Sequence, residues 1–254
     1  MAAPSLETKD LTIRFGGHVA VNSVSCAFRP GELTAIVGPN GAGKTTWFNL
    51  VSGQLAPTSG AIFKDGRNIT RLPASTRAGV GIGRAFQLTN LFPRLSVLEN
   101  VRLAVQARAG DGWRPWRSVG AFPHLEKKAM AHLATVRLED AAHVPAAALS
   151  HGDQRKLEVA LLAAMDPDIF MFDEPTAGMS VDEAPVILDL IGAIKADRSK
   201  TVLLVEHKMS VVRALADRIV VLNNGELVAD GAPENVMALP IVREIYLGVA
   251  DAAP

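Results

Sequence analysis

Gly38-Pro39-Asn40-Gly41-Ala42-Gly43-Lys44-Thr45-Thr46 decides the reading of this chain. It fits G-x-x-x-x-G-K-[ST], the spacing of a phosphate-binding loop. The apolar run Leu33-Thr34-Ala35-Ile36-Val37 precedes it and reads as a buried strand; a helix is expected from about Thr45 to Val51. Strand, glycine-rich loop and helix is the context that the motif needs. Glycines let the backbone wrap a phosphate with no Cβ in the way, and loop N–H groups with a helix N-terminus supply positive potential. Lys44 is expected to reach the β- and γ-phosphates, and the Thr45 hydroxyl to bind Mg²⁺.

The rest of the chain must supply a core and a context for that loop. With 254 residues, 48% of them hydrophobic, it is long enough for one large domain. Lys+Arg and Asp+Glu are 26 each, so no basic excess points to nucleic acid. The single cysteine, Cys26, excludes an internal disulfide and reads as a small buried hydrophobe in a strand. Residues 1–10 lack the apolar segment of a secretory signal. No run approaches the roughly 18 apolar residues of a spanning helix, because Asp166-Pro167-Asp168 splits the longest candidates. A cytoplasmic protein is expected, free or held at a membrane by other chains.

Around the loop, Leu6–Phe15 and Val19–Phe28 alternate apolar and polar across Gly16-Gly17, a hairpin pattern. Gly60–Gly66 reads as a strand entering an Asp-Gly turn, Pro73–Ala78 as a short helix, and Gly83–Gln87 as a strand. Leu98–Ala109 and Leu125–Leu138 have helical periodicity, interrupted near Trp113–Trp116. Ser150 is placed to cap a helix reaching about Met165. Ile169–Phe172 and Thr201–Glu206 are continuous apolar runs, as strands covered on both faces require. Val181–Ile194 reads as a helix with Pro185 in its first turn. Ile219–Leu222 and Glu226–Ala229 form a hairpin about Asn223-Asn224-Gly225, and two short helices follow. The expected fold is α/β: a core from about 5–88 and 166–254, with a strand-poor helical subdomain at about 89–165, all in one domain spanning 1–254.

Candidate chemistry collects at strand ends, where α/β sheets place ligand sites. Asp173 is placed to hold Mg²⁺ through water, and Glu174 to act as general base on a water attacking the γ-phosphate. Gln87 is a second candidate for the metal or that water. His207 follows another buried strand, in hydrogen-bonding reach of a γ-phosphate. In Leu149-Ser150-His151-Gly152-Asp153, a Ser cap at a helix start makes a second anion site. Two helix N-termini aimed at phosphate suggest one site shared across a dimer.

In this order, these residues resemble the ATP-binding cassette (ABC) family of ATPases over nearly the whole chain. The resemblance implies a RecA-like phosphate-loop NTPase core, with an N-terminal antiparallel β subdomain and an inserted α-helical subdomain. It implies ATP and Mg²⁺ as cofactors. The loop residues Gly38, Pro39, Asn40, Gly41, Ala42, Gly43, Lys44, Thr45 and Thr46 would bind nucleotide, and Phe15 would stack on adenine. Glu174, His207, Gln87 and Lys44 would act in catalysis, and Thr45, Gln87 and Asp173 would hold the metal. Ser150 and Gly152 match the family's Leu-Ser-Gly-Gly-Gln motif, which contacts ATP held by an opposite subunit; His151 and Asp153 depart from it. After Glu174 the family's Pro-Thr-Ser-Ala-Leu-Asp is Pro175-Thr176-Ala177-Gly178-Met179-Ser180, so the coupling Asp is replaced by Ser180, with Asp182 two positions on.

Ala177-Gly178-Met179-Ser180, the Trp113–Trp116 interruption and Ile245-Tyr246-Leu247-Gly248 look like the ATPase subunit of branched-chain amino acid importers. Urea and amide importers lie close by, and Leu149-Ser150-His151-Gly152 leans toward the urea type. The implied partners are integral membrane permeases, docked near Gln87 and Leu88–Pro93, a second ABC ATPase subunit, and indirectly a solute-binding protein. The implied location is the inner face of the membrane, held through the permease. The alternatives are a soluble ABC ATPase of DNA repair or translation, and a nucleotide-binding module that does not hydrolyse. One cassette, one cysteine and zero net charge weigh against the first; Glu174 and His207 weigh against the second.

Overall fold

The computed structural model describes residues 3–85, 91–109 and 123–247. The chain forms two compact units. The first is Met1–Ile82, Asp168–Glu174 and Ile194–Pro254; the second is Gly83–Pro167 and Pro175–Ala193.

The first unit starts with the hairpin β1 (Leu6–Phe15) and β2 (His18–Phe28). The apolar alternation along β1 slips at Lys9-Asp10. There a bulge, with Asp10 at φ 47, takes up one extra residue, so that Leu6 and Thr8 before it and Leu11 and Ile13 after it are all buried. Then come β3 (Leu33–Val37), α1 (Lys44–Ser52), β4 (Ser59–Lys64), β5 (Arg67–Asn68) and α2 (Ala74–Gly79). Strands β2-β1-β4-β5 form an antiparallel sheet in that order. Helix α2 is short because its task is local: buried Arg77 donates to Leu50 O and Val51 O at the end of α1 (2.6 and 2.7 Å) and to Thr70 O and Leu72 O (2.8 and 2.9 Å). The guanidinium thereby satisfies carbonyls that a helix end leaves without intrahelical partners.

Strand β6 (Ile82–Ala85) leaves this unit, and the chain returns in β7 (Ile169–Asp173); between them lie α3 (Val97–Ala109), α4 (Pro123–Thr135) and α5 (His151–Met165). Helix α6 (Ala184–Ala196) precedes β8 (Thr201–Val205), α7 (Met209–Leu215), β9 (Arg218–Asn223), β10 (Glu226–Gly231), α8 (Pro233–Ala238) and α9 (Pro240–Leu247). The second sheet runs β10-β9-β3-β8-β7-β6, with β9, β3, β8 and β7 mutually parallel. Every residue of β3, β7 and β8 is buried, as strands with both faces covered must be. The period of two divides the burial. Ile36, Leu203, Val205, Val220 and Leu222 join the core that holds Trp47 and Phe48 of α1, whereas Ala35, Val37, Ile219 and Val221 pack with Val212 and Val236 on the opposite face. Lys64 ties β4 to the start of β7 through Asp168 (2.9 Å).

The second unit is helical. Its core comes from α3 (Val97, Val101, Val105), α4 (Leu125, Ala129, Leu133) and α5 (Leu157, Ala160, Ala164). Asn100, fully buried, holds the entry to α3 by accepting from Phe92 N–H (2.8 Å) and donating to Ser96 O (2.9 Å). Residues Pro175–Ala193 group with these helices rather than with the sheet. Helix α6 begins three residues later than the expected Val181. Glu183 reaches back to Ser180 N–H (3.0 Å), closing a turn that holds Val181 and Asp182 outside the helix. Helix α7 lies between His207 and Ile219, where no periodicity marks an element; its two buried residues, Val211 and Val212, are too few to mark a period.

Candidate nucleotide site

The loop between β3 and α1 is held open by its glycines. Gly43 stands at φ 93, and a Cβ there would meet Ala20 O at 2.5 Å; a Cβ on Gly38 would run into Leu222 O. The loop is also fastened from below. Gly225 N–H, in the β9–β10 turn, donates to Ala42 O (3.1 Å), and Asn22 N–H donates to Gly225 O (2.8 Å). The turn Asn223-Asn224-Gly225 is legible as a hairpin, but its support of the phosphate loop is a tertiary fact that local spacing does not encode.

Lys44 opens α1 with its side chain folded back under the loop. Nζ donates to Gly38 O (2.7 Å) and Pro39 O (2.9 Å). Burial lowers its pKa, opposed by the nearby charges of Glu174 and Asp173. Lys44 is therefore a buried cation resting on two neutral carbonyls. Thr45 and Thr46 follow in the first turn, partly buried, and Asn40 and Gly41 stand at the exposed crest.

The carboxylates come from the end of β7. Asp173 is its last residue and is buried. Glu174 sits just beyond, with its N–H on Val205 O (3.0 Å) and its backbone in the left-handed region at φ 48. A non-glycine residue there costs roughly 1–2 kcal/mol, and such strain gathers where a side chain must be aimed. The end of β8 supplies His207, whose Nδ1 is 3.8 Å from Glu174 Oε1 and 3.6 Å from Glu206 Oε2. Glu206 carries no expectation from the sequence beyond ending its strand. Fully buried, it accepts from His207 N–H (2.8 Å) and Lys208 N–H (3.2 Å) and so fixes the turn that carries His207. An acid closing an otherwise apolar strand was the available signal. Loop, Lys44, Asp173, Glu174 and His207 thus gather in one unit at the ends of three adjacent parallel strands. Phe15 ends β1, half exposed beside the turn to β2.

The second phosphate candidate lies in the helical unit. Ser150 caps α5: its Oγ accepts from Asp153 N–H (3.1 Å) and lies 2.9 Å from Asp153 Oδ2, while Asp153 Oδ1 accepts from Lys156 Nζ (2.8 Å). The departure at position 153 thus closes a reciprocal cap. Gly152 is buried in the first turn, and the ring of His151 borders Gly178. Gln87, the first part of Leu88–Pro93 and the Trp113–Trp116 stretch lie outside the described residues.

Comparison with known proteins bears directly on this arrangement. The family model described as ABC transporter matches residues 21–177. This chain belongs to that family. The cassette is 38% identical to the high-affinity branched-chain amino acid transport ATP-binding protein BraF of Pseudomonas aeruginosa, over 98% of this chain and all of that protein. It is 36% identical to the LivG protein of Escherichia coli K12, with the same coverage. Among solved structures, it is similar to an ABC transporter cassette in its ADP conformation (TM-score 0.81, 27% identity, 98% of this chain and all of that one). It is also similar to a dimeric bacterial ABC transporter cassette (TM-score 0.78, 28% identity, 89% and 98%). The fold is that of the phosphate-loop NTPases.

Proposed function

We propose that this chain is the ATP-hydrolysing subunit of an importer, energising uptake of branched-chain or other hydrophobic amino acids through separate membrane permeases. The observation that carries the reading is Lys44, a buried ammonium on Gly38 O and Pro39 O with Asp173 and Glu174 as its nearby charges. A triphosphate entering the loop offers Lys44 anionic acceptors in place of carbonyls, together with the N–H groups around Gly41–Thr46. Phe15 stacks on the base. Glu174 takes the proton of the attacking water, and His207 hydrogen-bonds the γ-phosphate. Thr45 and Asp173 offer hard oxygen donors alone, which suits Mg²⁺ shared with phosphates; among the described residues no three acids, His or Cys form a cage of their own. When held there, the ion would supply neutralisation of phosphate charge. Gln87 completes that set.

Ser150 and Gly152 lie at a second helix N-terminus, and in this reading they receive the triphosphate of a second cassette, like or unlike this one. The whole chain, 1–254, acts as one ATPase domain. No helix among the described residues is long and apolar enough to cross a membrane. In this reading the permeases, met near Gln87 and Leu88–Pro93, hold the chain at the inner face. A solute-binding protein delivers the solute to them. The relatives named for branched-chain amino acid transport, matched end to end, support this choice of solute. The test is ATP binding by Lys44→Ala, together with reconstitution beside the permeases in vesicles. Loss of ATP binding in the variant and ATP-dependent leucine uptake by the native complex are expected. Native affinity in Lys44→Ala would contradict the site, and uptake that ignores ATP would contradict the transport role.

A further inference from the structure

The N-terminus of α5 already has an anion beside it. A Cβ on Gly152 would stand 2.6 Å from Glu183 Oε2 and 2.7 Å from its Cδ, with Oε1 closer still. The carboxylate thus fills the space that a side chain at position 152 would take. It is held there: Oε2 accepts from Ser180 N–H (3.0 Å) and Ser180 Oγ (2.9 Å). These two bonds keep Glu183 below the usual carboxylate range, so it is charged at neutral pH. A negative group is favoured at a helix N-terminus by the orphan N–H groups of the first turn. Asp153, the other acid of this turn, is engaged by Ser150 and Lys156.

We infer that Glu183 is a resident anion at the Gly152 phosphate subsite, and that its displacement sets the ATP concentration at which two cassettes close. The inference rests on the proposed role of Ser150 and Gly152 as receivers of the opposite cassette's triphosphate. A carboxylate and a γ-phosphate at the same glycine repel each other and compete for the space beside it. Glu183 leaves by turning toward solvent, which breaks both bonds to Ser180. Closure therefore loosens the turn at Ser180–Glu183, immediately downstream of Glu174. Ser180, whose N–H and Oγ both hold Oε2, is the latch for that carboxylate.

The test uses chains carrying Glu174→Gln, to prevent turnover, and follows pairing by sedimentation as Mg·ATP is raised. Adding Glu183→Gln keeps an oxygen for Ser180 and removes the charge. It is expected to lower the ATP concentration for half-maximal pairing by roughly two- to fivefold, the scale of one charge at a helix end. Glu183→Ala is expected to shift it the same way. Pairing at unchanged or higher ATP in Glu183→Gln overturns the inference and leaves the dimer reading standing. Absence of pairing in Glu174→Gln alone overturns the dimer reading and the inference with it.

Discussion

Gly43 shows how far a single position constrains this site. It needs a positive φ and a bare α-carbon, since Ala20 O lies where a Cβ would go. Gly43→Ala is therefore expected to cost at least about 1–3 kcal/mol of stability through strain, and to weaken ATP binding by displacing Lys44 next to it. Urea unfolding and nucleotide titration of the variant check both effects. The strand, glycine turn and helix start around Lys44 and Thr45 were legible because the motif's spacing dictates that local context. Glu206 was not, because its work is to hold two backbone N–H groups of a turn, and any buried acceptor at a strand end can do that. Glu183 was hidden for a related reason: its meaning depends on an approach to Gly152, 31 positions earlier in the chain.

At the scale of elements, two contacts carry predictions. Arg77 binds four carbonyls at the end of α1 and around α2. Arg77→Ala removes a donor from all four, leaving Leu50 O with Gly53 N–H (3.2 Å), and a loss of about 2–4 kcal/mol is expected in chemical unfolding. Arg77→Lys is expected to rescue little, since an ammonium cannot span the same fork. Cys26 lies buried in β2; burial, and secondarily Asp230, push its thiol up to about 12 from 9.0, against a smaller opposing effect of Arg218. The unfolded chain thus ionises first. Stability from this thiol is whole below pH 9 and falls as pH rises toward about 12, by up to about 1.4 kcal/mol per pH unit. Unfolding from pH 8 to pH 10 is expected to show a steeper decline in the native chain than in Cys26→Ala. Strands β3, β7 and β8 were legible as unbroken apolar runs, whereas the bulge in β1, the turn before α6 and helix α7 were not. Each of these is set by what the segment packs against, and periodicity over so few residues cannot register it.

At the scale of the whole molecule, sheet, loop and helical unit follow from the order of motifs along the chain. The allocation of Pro175–Ala193 to the helical unit does not, because α6 is apolar enough to suit either side. ATP bound at the β3–α1 loop is turned over through Glu174 in the proposed mechanism. Measuring ATP affinity and steady-state phosphate release side by side for the native chain and Glu174→Gln tests this most directly. Affinity preserved within about twofold and phosphate release reduced by roughly a hundredfold or more are expected. Hydrolysis undiminished in Glu174→Gln would contradict that mechanism.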